Sequence, residues 1–145
     1  MGKTIRFVLL LLLAGCTEKH TIDIEVVDPW IAEIPPMISV TAALMTLRNH
    51  SGSTKYLVAA SSPDADRIEI HRTFIVNDLA RMQQQTEVEI PAGGSLSFNS
   101  SSGYHLMFYG GGQIQAGRRI PVTLSFRDGT KLTVDFPVRD RRSAN

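Results

Sequence analysis

Apolar and polar residues alternate with a period of two along most of the chain beyond residue 21. Ile22, Ile24 and Val26 are separated by Asp23 and Glu25, and Ile68 and Ile70 by Glu69. The same rhythm runs through Val88 and Ile90, Leu96 and Phe98, Val122, Leu124 and Phe126, and Leu132, Val134 and Phe136. Alternation sends successive side chains to opposite faces, the pattern of a half-buried strand. Residues 40–47 and 56–60 are more continuously apolar and predict two further strands. Turn signals separate the runs at Asp28-Pro29, Pro35-Pro36, Ser51-Gly52, Pro63-Asp64, residues 91–94 and residues 110–112. The Asp128-Gly129 pair predicts a two-residue hairpin turn of type I′. No segment carries a sustained helical stripe. Short strands at regular spacing predict one all-β domain, a sandwich with Greek-key connections spanning residues 22–138, followed by a polar tail at 139–145.

The first residues follow a different rule. Lys3 and Arg6 precede an apolar stretch at residues 7–14 that is too short to span a bilayer as a helix. Leu13-Ala14-Gly15-Cys16 then has the form of a bacterial lipobox, in which the cysteine is lipidated and the chain is cut just before it. Residues 1–15 are thus expected to be a lipoprotein signal peptide, Cys16 the lipid attachment point, and residues 16–21 a tether. Several acyl chains on one residue hold a protein stably at a membrane. The expected location is periplasmic and lipid-anchored. Thr17 is not the aspartate that marks inner-membrane retention in enteric bacteria, a rule that does not extend to all bacteria, so either membrane fits.

Composition narrows the chemistry. The chain has 145 residues and a formal charge of +1, from 15 Lys and Arg against 14 Asp and Glu. Removing residues 1–15 takes away Lys3 and Arg6, leaving 13 against 14, or −1. This balance offers no electrostatic footprint for nucleic acid. The only cysteine is Cys16, which excludes an intramolecular disulfide framework, a Cys-x-x-Cys pair and a Cys-rich zinc site. No phosphate-binding glycine loop precedes a helix, no His-Glu-x-x-His occurs, and no serine is marked as a nucleophile. The chain is therefore expected to be a binding module rather than an enzyme.

Histidine and methionine stand where chemistry is possible. His71 ends one alternating run, and Met82 follows after an expected turn near residues 76–79. A hairpin centred between Val76 and Asn77 sets His71 opposite Met82. A centre one residue later sets His71 opposite Gln84, with Met82 diagonal to it. Both registers leave His71 and Met82 on one face. His105 and Met107, two residues apart, share a face of another strand. Thioether sulfur is soft, neutral and not protonated near neutral pH, so it favours Cu(I), while imidazole serves several metals. Two His and two Met would make a four-coordinate Cu(I) site without a thiol. The plainer alternative stays open at this point: a methionine on a strand is commonly core filler, and a histidine near a strand end is commonly a solvated residue.

The spacing His71, ten residues, Met82, twenty-two residues, His105-x-Met107 resembles the H-x10-M-x21-H-x-M signature of PCuAC-type periplasmic copper chaperones. The second gap is one residue longer here, an excess that the loop at residues 99–103 can absorb. Residues 60–63, 89–94, 103–107 and 120–126, and Asp28-Pro29-Trp30, are similar to the same family, so the resemblance runs from about Trp30 to Val138. It implies a cupredoxin-like β-sandwich that binds Cu(I) through His71, Met82, His105 and Met107. It also implies delivery of copper to the CuA subunit of a haem-copper oxidase, alongside a thioredoxin-like copper chaperone, by a monomer. Two departures stand out. Arg72 occupies the place where members often carry a second Met, and the tail has no His or Met, so no second copper site is expected there. His20 and His50 are expected to be solvated, Met45 to be core, and Met37 to lie outside the site. Trp30 and Tyr104 are expected to be packing residues.

Two other functions compete with a copper chaperone. A blue-copper electron carrier needs His₂Cys ligation, which a lipidated Cys16 cannot supply. A copper-independent envelope lipoprotein with an interaction or structural role is compatible with the same fold.

Overall fold

The computed structural model describes residues 23–35, 37–110 and 114–140. The signal segment, Cys16, the tether with His20, and residues 141–145 of the tail lie outside the described residues. Ten strands follow one another: β1 (Ile24–Ala32), β2 (Val40–Asn49), β3 (Lys55–Ser61), β4 (Arg67–Val76), β5 (Leu79–Gln84), β6 (Val88–Ile90), β7 (Ser95–Phe98), β8 (Tyr104–Tyr109), β9 (Arg119–Phe126) and β10 (Lys131–Arg139). They hydrogen-bond in the order β5-β4-β8-β2-β1-β10-β9-β3-β6, with β7 also on β2. A bridge between Ala60 and Ile68 joins β3 to β4, so the sheet curls back on itself around one core. Neighbours are antiparallel except β1 and β10, which run parallel. Among the described residues no helix is long and apolar enough to cross a membrane.

The alternation seen in the sequence is the burial pattern of the strands. On β9, Ile120, Val122, Leu124 and Phe126 are buried in turn. On β8, Leu106 and Phe108 point into the core, so His105 and Met107 point the other way. Met45 is buried opposite Phe98, as expected of a core residue. Asn49 is also buried, and its side-chain amide donates to the carbonyls of Ser53, Ile90 and Pro91, which pins the loop after β2.

Three local expectations are corrected. Asp28-Pro29 is not a turn between strands. β1 continues through it with a bulge, the register skipping between Val27 and Trp30 while Asp28 adopts φ 45°. Proline cannot donate a ladder hydrogen bond, and a bulge is where a strand tolerates one. The β9–β10 loop is not a two-residue type I′ turn. Phe126 pairs across three residues with Thr130, the Gly129 amide donates back to the Phe126 carbonyl, and only Gly129 has positive φ, 87°. That is a type I turn closed by a glycine bulge. The type I′ signature sits instead between β4 and β5, where Asn77 and Asp78 both have positive φ, 50° and 61°. Asn and Asp tolerate this region better than other side chains. Arg139, read as tail, is the last residue of β10: it pairs with Ala32, and its guanidinium donates to Asp28 at 2.7 Å.

Candidate functional site

The site residues lie on the outer face of the sheet, where β5, β4, β8 and β2 run side by side. Antiparallel pairing sets His71 of β4 directly opposite His105 of β8, and Glu69 opposite Met107. Directly paired residues share a face. On the other side of β4, the two-residue Asn77-Asp78 turn selects the second of the two possible registers. His71 faces Gln84, and Met82 faces Thr73, diagonal to His71. On β8's far side, Met107 pairs with Ala42 of β2. His71, Met82, His105 and Met107 therefore occupy one face of four adjoining strands.

The structure brings three of the four into one pocket. Met82, His105 and Met107, with Ala42, Leu44, Thr73, Asn99 and Tyr104, line a depression of about 400 Å³. His71 stands at its side, not in its lining; its ring centroid is 5.8 Å from that of His105, the rings meeting edge to face. Met82 is 60% exposed, so one thioether is reachable from solvent, while the side chain of His71 is only 12% exposed. Among the described residues no three or more His, Cys, Asp or Glu side chains gather as a metal site.

Each imidazole is held by one nitrogen. His71 Nε2 lies 2.8 Å from a carboxylate oxygen of Glu69 and donates to it, because a carboxylate can only accept. His71 Nδ1 is buried and has no hydrogen-bond partner. His105 Nδ1 donates to the carbonyl of Gly103 at 3.1 Å. Burial pushes the His105 pKa down, the Gly103 hydrogen bond opposes this, and His71 lowers it further, so the ring favours its neutral form. A neutral imidazole with one N–H engaged presents its other nitrogen as a lone pair, which is what a metal ligand requires. Two imidazoles, two thioethers and no thiolate would suit a soft monovalent ion.

Sequence reasoning missed the residues around these rings. Glu69 takes the Arg67 Nε at 2.9 Å as well as His71. Those two hydrogen bonds lower its pKa. The Arg67 guanidinium lies 3.8 Å over the Tyr109 ring, and burial together with Glu69 raises the Tyr109 pKa. A signal existed, since Glu69 is two residues before His71 and must share its face. Gly103 has φ 78°, and a Cβ there would sit 2.5 Å from the Thr73 carbonyl oxygen. Its own carbonyl accepts the Thr73 amide at 2.9 Å and the His105 ring. Only glycine lets the loop before β8 approach β4 this closely.

The remaining candidates stand apart. Met37, fully exposed with φ 76°, lies in the β1–β2 loop and lines no part of the pocket. His50 bonds Glu25 at 2.8 Å near the far end of β2. Trp30 lies under Arg139, 5.6 Å from guanidinium to ring. Tyr104 packs on Phe98 with ring centroids 5.8 Å apart, as a packing residue does, and also lines the pocket.

Comparison with known proteins places this architecture. The family model "LpqE-like: Putative lipoprotein LpqE-like" matches residues 24–138. "Putative lipoprotein Lxx21020" of Leifsonia xyli subsp. xyli (strain CTCB07) is 32% identical over 129 residues, covering 88% of this chain and 76% of that protein. The solution structure of CuI-DR1885 from Deinococcus radiodurans is 32% identical, with a TM-score of 0.63 over 78% of this chain and 76% of that one. The copper-bound PCuAC domain from PmoF2 has a TM-score of 0.67 over 81% of this chain and 93% of its own, at 16% identity, a likeness of fold alone. The chain belongs to the LpqE-like lipoprotein family, a PCuAC-type family, and folds as its all-β, cupredoxin-like Greek-key sandwich.

Proposed function

We propose that this protein is an extracytoplasmic Cu(I) chaperone, tethered to a membrane through lipid on Cys16, that holds one Cu(I) through His71, Met82, His105 and Met107. It is a binding module without turnover, and copper is its cargo. The observation that carries the reading is the strand pairing: His71 opposite His105, Met107 beside them on β8, and Met82 reaching the same face from β5. The Deinococcus protein solved with Cu(I), 32% identical to this chain, supports the choice of ion. All four residues share a face, and the reading takes their ligand atoms to converge on the ion by side-chain rotation. The exposure of Met82 suits handover, because an incoming ligand can displace the outermost thioether first. Delivery to the CuA subunit of a haem-copper oxidase, with a thioredoxin-like partner in the periplasm, is the destination proposed for the cargo.

Titration of the domain from residue 17 onward with Cu(I), against a chromogenic chelator, tests this. One tightly held equivalent is expected, and a Met82→Ala/Met107→Ala double variant should lose it. Undiminished binding in that variant, or less than one equivalent in the wild type, would sink the reading. Mixing the loaded domain with a soluble CuA-bearing fragment tests the destination, which fails if copper stays where it was.

A further inference from the structure

The unusual feature of the site is that its two imidazoles are tied by different nitrogens. His105 is held at Nδ1 by a backbone carbonyl, which leaves Nε2 free. His71 is held at Nε2 by Glu69, and its buried Nδ1 has no partner. A buried polar atom without a partner is uncommon and calls for an explanation. The tie on His71 is also braced. Arg67 donates to the Oε1 of Glu69 at 2.9 Å while His71 donates to Oε2, and Arg67 itself lies over the Tyr109 ring at 3.8 Å. Tyr109 also meets the His71 ring edge to face, with centroids 6.5 Å apart. A carboxylate with one oxygen on a fixed guanidinium has its other oxygen fixed as well.

We propose that Glu69 is a positioning residue of the copper site: it holds His71 as the Nε2–H tautomer, so that His71 gives Cu(I) its Nδ1 while His105 gives its Nε2. The proposal rests on the copper reading above. Glu69 does not touch the ion. It acts through His71, by fixing which nitrogen carries the proton and how the ring is turned, the role that outer carboxylates play around metal-bound histidines. Arg67 and Tyr109 hold the carboxylate in place. The lone pair that is unused in the metal-free protein is then the one reserved for the ion.

Long-range proton–nitrogen correlation spectra of the imidazoles, recorded on ¹⁵N-labelled domain before and after one equivalent of Cu(I), test this. In the metal-free wild type, His71 should be protonated at Nε2 and His105 at Nδ1. With Cu(I), the coordination shift should fall on Nδ1 of His71 and on Nε2 of His105. In Glu69→Gln, Arg67 can only donate and takes the amide oxygen. The amide NH₂ then faces His71, and the tautomer should move toward Nδ1–H. Glu69→Ala should leave His71 a mixture of tautomers. Both variants should bind Cu(I) roughly 10- to 100-fold more weakly, with His105 unchanged as the internal control for folding. A coordination shift on Nε2 of His71, or an unaltered His71 tautomer in both variants, would overturn the assignment. If the wild type binds no Cu(I), the copper reading falls and the donor assignment with it, while the metal-free spectra still decide whether Glu69 sets the tautomer.

Discussion

Two hairpins of this sandwich are built alike and used differently. β9–β10 and β4–β5 are both antiparallel pairs with short loops, yet the first is embedded and the second projects. On β9 every second residue is buried, and the loop is clipped from outside by Lys55, whose ammonium reaches Asp128 at 2.7 Å and Asp23 at 3.6 Å. On β5 every residue is exposed, and Ile75 and Val76 at the end of β4, with Leu79 and Met82 on β5, leave large apolar side chains in solvent. β5 is also the edge of the sheet, hydrogen-bonded on one side only. Apolar burial and tertiary ties make one hairpin part of the core. In the other, β4 is tied to β8, but β5 depends on the β4 ladder and the turn alone, the condition of segments that open locally. The exposed strand carries only Met82, so the proposed cargo site is held at three residues, His71 on β4 and His105 and Met107 on β8, and yielding at one, on β5.

The largest break in this contrast should come from truncating the buried hairpin. Phe126→Ala should cost about 3–5 kcal/mol in guanidinium unfolding, whereas Leu79→Ala should stay within about 0.5 kcal/mol. Similar losses from both would show that β5 is packed in solution. Next in size is Gly103→Ala, which forces a side chain against the Thr73 carbonyl at positive φ. A loss of roughly 2–3 kcal/mol is expected, together with a weaker hold on His105, read from its imidazole spectrum. Asp128→Asn should cost less, up to about 1 kcal/mol, because the Lys55–Asp128 pair is partly solvated and screened.

That last effect has a defined pH window. The Lys55 hydrogen bond, with the Thr130 amide, holds Asp128 down at about 2, below its ordinary 3.8. A depressed carboxylate pKa stabilises the fold above the unfolded value and loses that contribution as pH falls through the folded one. The difference between wild type and Asp128→Asn should therefore be full at neutral pH and vanish between about pH 3.8 and pH 2. The smallest change should come at the exposed turn. Asp78→Gly relieves a side chain at φ 61° and should raise stability by about 0.5 kcal/mol, measured by thermal melting, with Met82 kept in register.

Much of the fold was legible because alternation in a sheet is a direct image of burial. The runs at Val88 and Ile90 and at Val122 to Phe126 read correctly as strand interiors. The site was legible in part for the same reason: two residues separated by one must share a face, which links His105 with Met107. The turns were less legible. Asp128-Gly129 carries the motif of a type I′ turn, but the Phe126–Thr130 pairing needs three residues between the strands. Asn77-Asp78 lacks the glycine that marks such a turn, yet adopts it. Local propensity ranks turns, and strand register chooses among them.

From the sequence alone came the all-β class, the expectation of a lipobox, the want of a second thiol and the placing of two His and two Met on strands as candidate soft or borderline ligands. All of these follow from residue type and from spacing within one segment. Only the tertiary structure decided that β4 lies between β5 and β8, that His71 meets His105 rather than Met82, and that Glu69 and Gly103 hold the two rings by opposite nitrogens. Those facts depend on register between segments tens of residues apart and on which face each hydrogen bond can reach. Spacing along one chain carries no record of either.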